Sequence, residues 1–353
     1  MAGKEEKSKS KEEKGKEQKG TVKHSKEDKL EFRKEDLRWA TNEAVADWRA
    51  ERLKCERIAD VGCGIGLQAF SFAKKCRHVL GIDVNTEKIE IARKNASKLR
   101  FRNIEFTAGN ALDPEIIEKI KEDDAEIVFL DPERDASAEK RKIEAMKPDI
   151  NKFLARYGKI TSRIAVEFPP QIKEMPFDCE QEYASVNGKL NRLTLYFGPL
   201  KNAERSAVIL PSGKTISNDR KARLVKARGP KKYVYEVDGA VHKAGLLAEL
   251  CAITGTELAS EKKYAFMTSE EKMTSPFFKA MFRVLSVCGN DPLLIKTELR
   301  KCKAASVVIR LEVDPKEYWQ VRNEYEQGLS GNREVVLLGF ENVAVICEKM
   351  QGE

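Results

Sequence analysis

Histidine is scarce in this chain. Three histidines in 353 residues, and eight cysteines with no Cys-x-x-Cys pair among them, leave little from which to build a zinc site. Cysteines scattered in this way read as reduced, mostly buried thiols of a cytosolic protein and not as a disulfide framework. No apolar run approaches the ~20 residues of a membrane span. The N-terminus opens with lysines but has no apolar signal core. The expectation is a soluble, cytoplasmic protein with neither a metal nor a membrane as partner.

Charge is abundant. Asp, Glu, Lys and Arg make up 35% of the residues against 41% hydrophobic, and the formal net charge is +8. The length suits two or three domains with their own cores. The positive balance permits a polyanionic partner without proving one, because charge governs association and not fold. Residues 1–30 hold ten lysines, six glutamates and one aspartate with almost no apolar residues. Such a segment buries too little surface to offset its ordering entropy, so residues 1–34 are expected to be a disordered tail. Oligomeric state is not legible.

The chain is organised around Ile58-Ala59-Asp60-Val61-Gly62-Cys63-Gly64-Ile65-Gly66. An apolar lead-in predicts a buried parallel strand, and the run after Leu67 predicts a helix. Glycines between them permit a tight turn and close approach of a ligand to the main chain. A nicotinamide or flavin site is one reading. Two acids argue against it: Asp60 would face a pyrophosphate, and it suits instead the amino group of a zwitterionic ligand. Asp83, ending the strand Val79–Asp83, can take a ribose diol.

Strand and helix then alternate. A helix capped by Thr41 runs through Val45, Trp48 and Leu53. Another spans about 87–99, and strands follow at 104–107 and 125–130, the latter continuous and apolar as a buried parallel strand requires. Beyond Asp131-Pro132-Glu133-Arg134 a long charged helix precedes the strand 163–167 and Phe168-Pro169-Pro170. Asn187-Gly188 marks a type I′ turn between two strands. Five parallel strands closed by an antiparallel hairpin predict an α/β, Rossmann-like fold over 35–200. Residues 201–232 read as a basic connecting segment, with eight basic residues against Asp219 between 211 and 232. Residues 233–353 read as a separate α+β unit, with a helix over 241–254 and no catalytic constellation.

The ordered set of stretches resembles class I S-adenosylmethionine-dependent methyltransferases carrying a C-terminal THUMP-like domain. The stretches are Arg38-Trp39-Ala40-Thr41, the loop from Asp60 to Gly66, Phe129–Arg134, Tyr183–Gly188, Glu236–Leu247, Thr268-Ser269 and Ser275–Phe278. The resemblance implies S-adenosylmethionine as cofactor, held by Asp60, Gly62, Gly64, Gly66, Asp83, Val84, Asn110 and Ala111. It implies a structured RNA substrate, with transfer RNA the expectation, methylated on a base nitrogen with guanine favoured, and docked by residues 233–353. Catalysis would fall to Asp131, Pro132 and Arg134, and substrate binding to Glu133, Phe168, Lys221, Arg223, Lys226 and Arg228.

There are departures. Leu67 and Gln68 stand where relatives often have Gly and Asp. Glu133 and Arg134 replace the second proline and the aromatic ring of the Asn/Asp-Pro-Pro-aromatic motif, leaving Arg134 or Phe168 to supply a stacking face. Asp131 could orient a base N–H, or it could simply cap a helix that starts at Pro132. Two other classes stay open: a non-catalytic RNA- or ribosome-binding protein with a cofactor fold, and a methyltransferase acting on a protein or small molecule.

Overall fold

The computed structural model describes residues 25, 30–33, 36, 41–134, 143–172 and 174–350, with the Arg134 side chain outside that set. Most of the tail, together with Arg38, Trp39 and Ala40, falls outside the described residues. The expected boundary at residue 34 is too late. Leu30 is buried in the core, and Asn95 brackets the Glu31 backbone, its Oδ1 accepting the N–H at 2.7 Å and its Nδ2 donating to the carbonyl at 2.9 Å.

Helix α1 (Glu43–Arg52) is capped by Asn42, whose side chain accepts the Ala44 N–H, and not by Thr41. The alternation follows: β1 (Arg57–Val61), α2 (Leu67–Ala73), β2 (His78–Asp83), α3 (Thr86–Lys98), β3 (Ile104–Ala108), α4 (Pro114–Glu122) and β4 (Ile127–Leu130). No helix begins at Pro132, so the capping role for Asp131 is overturned. Glu133–Arg134 (β5) pairs instead with Met146–Lys147 (β6). The described part of the expected long helix is only α5 (Ile150–Tyr157). Then come β7 (Ile164–Phe168) and the hairpin of β8 (Glu180–Val186) and β9 (Lys189–Tyr196).

The connecting segment is partly sheet. Arg205–Leu210 forms β10, parallel to β8, and Lys214–Ser217 forms β11, antiparallel to β10. The sheet therefore has nine strands in the order β11-β10-β8-β9-β7-β4-β1-β2-β3. Its five-strand parallel part, β3-β2-β1-β4-β7, reverses direction of growth between β1 and β4. Crevices at such a switch point, outside the carboxyl ends of the strands, are where α/β sheets bind ligands.

A second sheet holds β12 (Tyr233–Val237), β13 (Glu257–Glu261), β14 (Ala265–Ser269), β15 (Phe278–Gly289), β16 (Ala304–Arg310), β17 (Arg333–Gly339) and β18 (Val343–Met350). The helix expected over 241–254 is two, α6 (Gly239–Ala244) and α7 (Leu247–Thr254), broken at Gly245 in the left-handed region at φ 72°. The unit is not separate. Ala240, Val241 and Ala244 of α6 share one buried cluster with Tyr183, Leu193 and Ala207 of the first sheet. Ser185 Oγ donates to Asp238 Oδ2 at 2.9 Å across that join. Helices α8 (Pro292–Lys301) and α9 (Tyr318–Glu326) cover part of the second sheet.

Candidate active site

A cavity of about 630 Å³ opens at the switch point. Its wall is built by the carboxyl ends of four parallel strands: the loop after β1, Asp83 ending β2, Asp131 after β4 and Glu167-Phe168 ending β7. The glycine loop takes its shape from left-handed residues, with φ of 81° at Gly62, 56° at Gly64 and 93° at Gly66. A side chain at Gly62 would run into the Asp131 backbone carbonyl, so glycine there lets two walls of the cavity touch. Open space surrounds the same position at Gly64, with no atom within 4 Å.

Asp83 is tied to this loop. Its Oδ2 accepts the Gly64 N–H at 2.8 Å and its Oδ1 the Asn85 N–H at 2.9 Å. Each oxygen keeps a lone pair for a hydroxyl. Asp60 lies beneath the loop, fully buried, and neither carboxylate oxygen has a hydrogen-bond partner among the described residues. Burial pushes its pKa up to about 7; Arg49 opposes the shift, and Asp83 and Glu167 add to it. An unpaired buried carboxylate costs several kcal/mol, so the site is built to gain from a nearby cation.

Behind Asp131 stands an ion network. Glu167 takes Arg49 Nη2 at 2.5 Å on one oxygen and Arg192 Nε on the other. Arg49 also donates to Gln68 Oε1 at 2.7 Å and Thr194 Oγ1 at 3.2 Å, and it lies over the Phe129 ring. Gln68 is thus bound to α1, its Nε2 donating to the Ala46 carbonyl. Burial works to raise the Glu167 pKa, but Arg192 and Arg49 hold it low. Asp131 is pushed well up, first by burial and then by the charge of Glu167, against the pull of both arginines. Two neighbouring carboxyls with pKa values driven apart are what an acid–base pair requires. At the rim, Lys88 Nζ meets Glu133 Oε1 at 2.7 Å.

Of the residues expected to hold cofactor, Gly62, Gly64 and Asp83 line the cavity. Asp60 sits behind the wall, and Gly66 caps α2 at a point where any side chain would run into the Phe70 and Phe106 rings. Val84 is exposed, Asn110 Oδ1 accepts the Leu112 N–H, and the Ala111 carbonyl accepts the Tyr157 hydroxyl; none of these three lines the wall. Asp131, Pro132, Glu133 and Phe168 do line it. Phe168 is almost fully buried, so little of its ring is free for a base to stack on. Asn191 and Arg192 of β9 also line the cavity and carried no signal in the sequence. Lys221, Arg223, Lys226 and Arg228 are elsewhere. They are exposed on a strip laid along β13, where the Leu258 N–H donates to the Val225 carbonyl at 2.7 Å and Ala227 N–H to Leu258 at 2.8 Å. Among the described residues, no group of three or more His, Cys, Asp and Glu could hold a metal ion.

Residues 54–197 match the family model described as Methyltransferase domain. That stretch is the part of the first sheet that builds the cavity. The protein is an S-adenosylmethionine-dependent methyltransferase. Along most of its length the chain is similar to an uncharacterized S-adenosylmethionine-dependent methyltransferase of Mycobacterium tuberculosis, 25% identical over 295 residues, which cover 80% of this chain and 78% of the relative. A crystal structure of a candidate methyltransferase from Porphyromonas gingivalis W83 shares the fold, with a TM-score of 0.74 at 17% identity over 90% of this chain and 83% of that one. A shorter likeness is to an uncharacterized RNA methyltransferase of Streptococcus pneumoniae, 36% identical over 83 residues, 23% of this chain and 18% of that protein.

The residues present fit the cofactor. S-adenosylmethionine, when bound, supplies a methyl group on a cationic sulfonium. Asp83 has acceptors for ribose hydroxyls, the loop at Gly64 leaves room for a ligand against the main chain, and the buried carboxyl of Asp60, with no hydrogen-bond partner among the described residues, suits a ligand carrying an ammonium group.

Proposed function

We propose that this methyltransferase acts on RNA, methylating a nucleobase nitrogen of transfer RNA with guanine favoured, and that Asp131 orients the accepting base. The observation that carries this reading is the placement of Asp131. It directly follows β4 at the cavity, free of any helix-capping duty, with a pKa raised by burial and by Glu167. A carboxylate with raised proton affinity can take the proton that a base nitrogen loses on methylation. Methyl transfer is an in-line displacement, so the rest of the site has to position two reactants and accommodate moving charge.

The exposed Lys221, Arg223, Lys226 and Arg228 beside the second sheet suit phosphate contacts, and the Streptococcus pneumoniae relative is itself described as acting on RNA. The second sheet unit, read as THUMP-like, then docks the RNA while a base is turned out into the cavity. Nucleoside mass spectrometry of cellular RNA with and without the gene tests this. One methylated nucleoside should vanish with the gene and return with the wild-type protein. An unchanged nucleoside profile would reject RNA as the substrate.

A further inference from the structure

The wall of the cavity contains two consecutive residues of one strand, Asn191 and Arg192 of β9. Consecutive strand residues ordinarily point to opposite faces. Here the register explains the exception. Ala184 of β8 pairs with Arg192, and the next residue, Ser185, pairs with Leu190, so Asn191 is one extra residue in β9 with no partner opposite. It is a β-bulge, a device that re-aims a side chain and recurs beside active sites. Of the carboxamide it carries, Oδ1 is enclosed and has no hydrogen-bond partner among the described residues. A bulge needs only the backbone, so the side chain is not there to hold the strand.

We propose that Asn191 is a substrate-recognition residue, delivered to the cavity by the β9 bulge to read the donor–acceptor edge of a planar base while Asp131 faces the atom that is methylated. A carboxamide offers one acceptor beside one donor, the complement of the amide or amidine edge of a nucleobase. Its neighbours are stiff. Arg192 is bound to Glu167, and Pro169-Pro170 lines the same cavity. A base admitted between them meets hydrogen-bonding groups fixed before it arrives, which lowers the entropy cost of orienting it. This assignment rests on the RNA reading above.

The test uses the full-length enzyme, labelled S-adenosylmethionine and a pool of unmodified transfer and ribosomal RNA transcripts. Asn191→Ala should raise KM for the RNA that the wild type methylates by about tenfold or more, the loss of one paired and enclosed hydrogen bond. Affinity for S-adenosylmethionine, by calorimetry, should stay within about twofold. Asn191→Asp keeps the shape and the bulge but removes the donor, and the same rise in KM is expected if Asn191→Ala proves unstable. Unchanged KM and kcat/KM in both variants would overturn the role of Asn191 and leave the RNA reading standing. Loss of cofactor affinity in step with RNA turnover would also overturn it, making the bulge a structural prop. A wild-type enzyme that methylates none of the transcripts would overturn the RNA reading, and this assignment with it.

Discussion

The side chain of Asp83 and the backbone of Gly64 are joined across the mouth of the cofactor cavity, Oδ2 accepting the N–H at 2.8 Å. A single carboxylate therefore shapes the glycine loop and offers acceptors to the ligand. Its removal is expected to act twice, orphaning the Gly64 and Asn85 N–H groups and removing the acceptors proposed for the ribose.

Asp83→Ala should weaken S-adenosylmethionine binding by roughly 2–4 kcal/mol, with charged hydrogen bonds at about 1.5–3 kcal/mol each and some overlap between them. Isothermal calorimetry reads this directly. An unaltered affinity would place the ribose elsewhere.

Asp131→Ala should lower the methyl-transfer rate by roughly 10²–10⁴-fold, the range of a lost general base, while S-adenosylmethionine affinity stays nearly intact. Because no helix starts at Pro132, the variant has no cap to lose, and its melting temperature should stay close to that of the wild type. Retained turnover with collapsed stability would contradict the assignment.

Asp60 makes stability and ligand binding depend on pH in opposite senses. Its folded pKa of about 7 lies above the unfolded value near 3.9. The folded ligand-free protein holds that proton more tightly, so the stabilisation is complete below pH ~4 and is lost as pH rises through ~7. Asp60→Asn, which stays neutral, should therefore be more stable than wild type at pH 8, by at most roughly 4 kcal/mol. The gap should narrow as pH falls and close toward pH ~4. S-adenosylmethionine, carrying cationic groups, prefers the ionised carboxylate, so wild-type affinity should fall as pH drops below ~7. Parallel stability curves for the two proteins would show that Asp60 does not titrate in this window.

Replacing Lys221, Arg223, Lys226 and Arg228 with serine should leave cofactor affinity unchanged and weaken RNA binding. The slope of log K against log salt should shrink by roughly one per phosphate contact removed. Filter binding at several salt concentrations measures it. A constant slope would make the strip along β13 a solvated surface.

Much of the first sheet was legible because its signals are local. Apolar strands, the glycines between Gly62 and Gly66 and the terminal acid at Asp83 each sit within a few residues of what they do. Asp131 was legible for the same reason, as the residue following a buried strand. What the sequence hid depends on distant partners. Arg49, Glu167 and Thr194 come from α1, β7 and β9, so no window of neighbouring residues shows that they meet. The bulge at Asn191 exists only in the register of β8 against β9. Strands β10 and β11 were masked by the charged residues around them, although Ala207, Val208 and Ile216 are buried. The expected helix after Pro132 followed capping rules that the pairing of β5 with β6 overrides. The break at Gly245 was missed because apolar residues continue on both sides of it.

Helix α6 gives the molecule a ruler. It follows directly from a strand of the second sheet and is buried against β8 and β10 of the first, with Asp238 bound to Ser185 at its base. Two domains on a free hinge would let a bound molecule find the catalytic pocket at many separations. Here the spacing between the second sheet and the cavity is set by packed side chains, so changing it means breaking a core. If the second sheet holds the partner, this fixed spacing measures a distance within it, and discrimination among molecules of equal local chemistry falls to their length and shape.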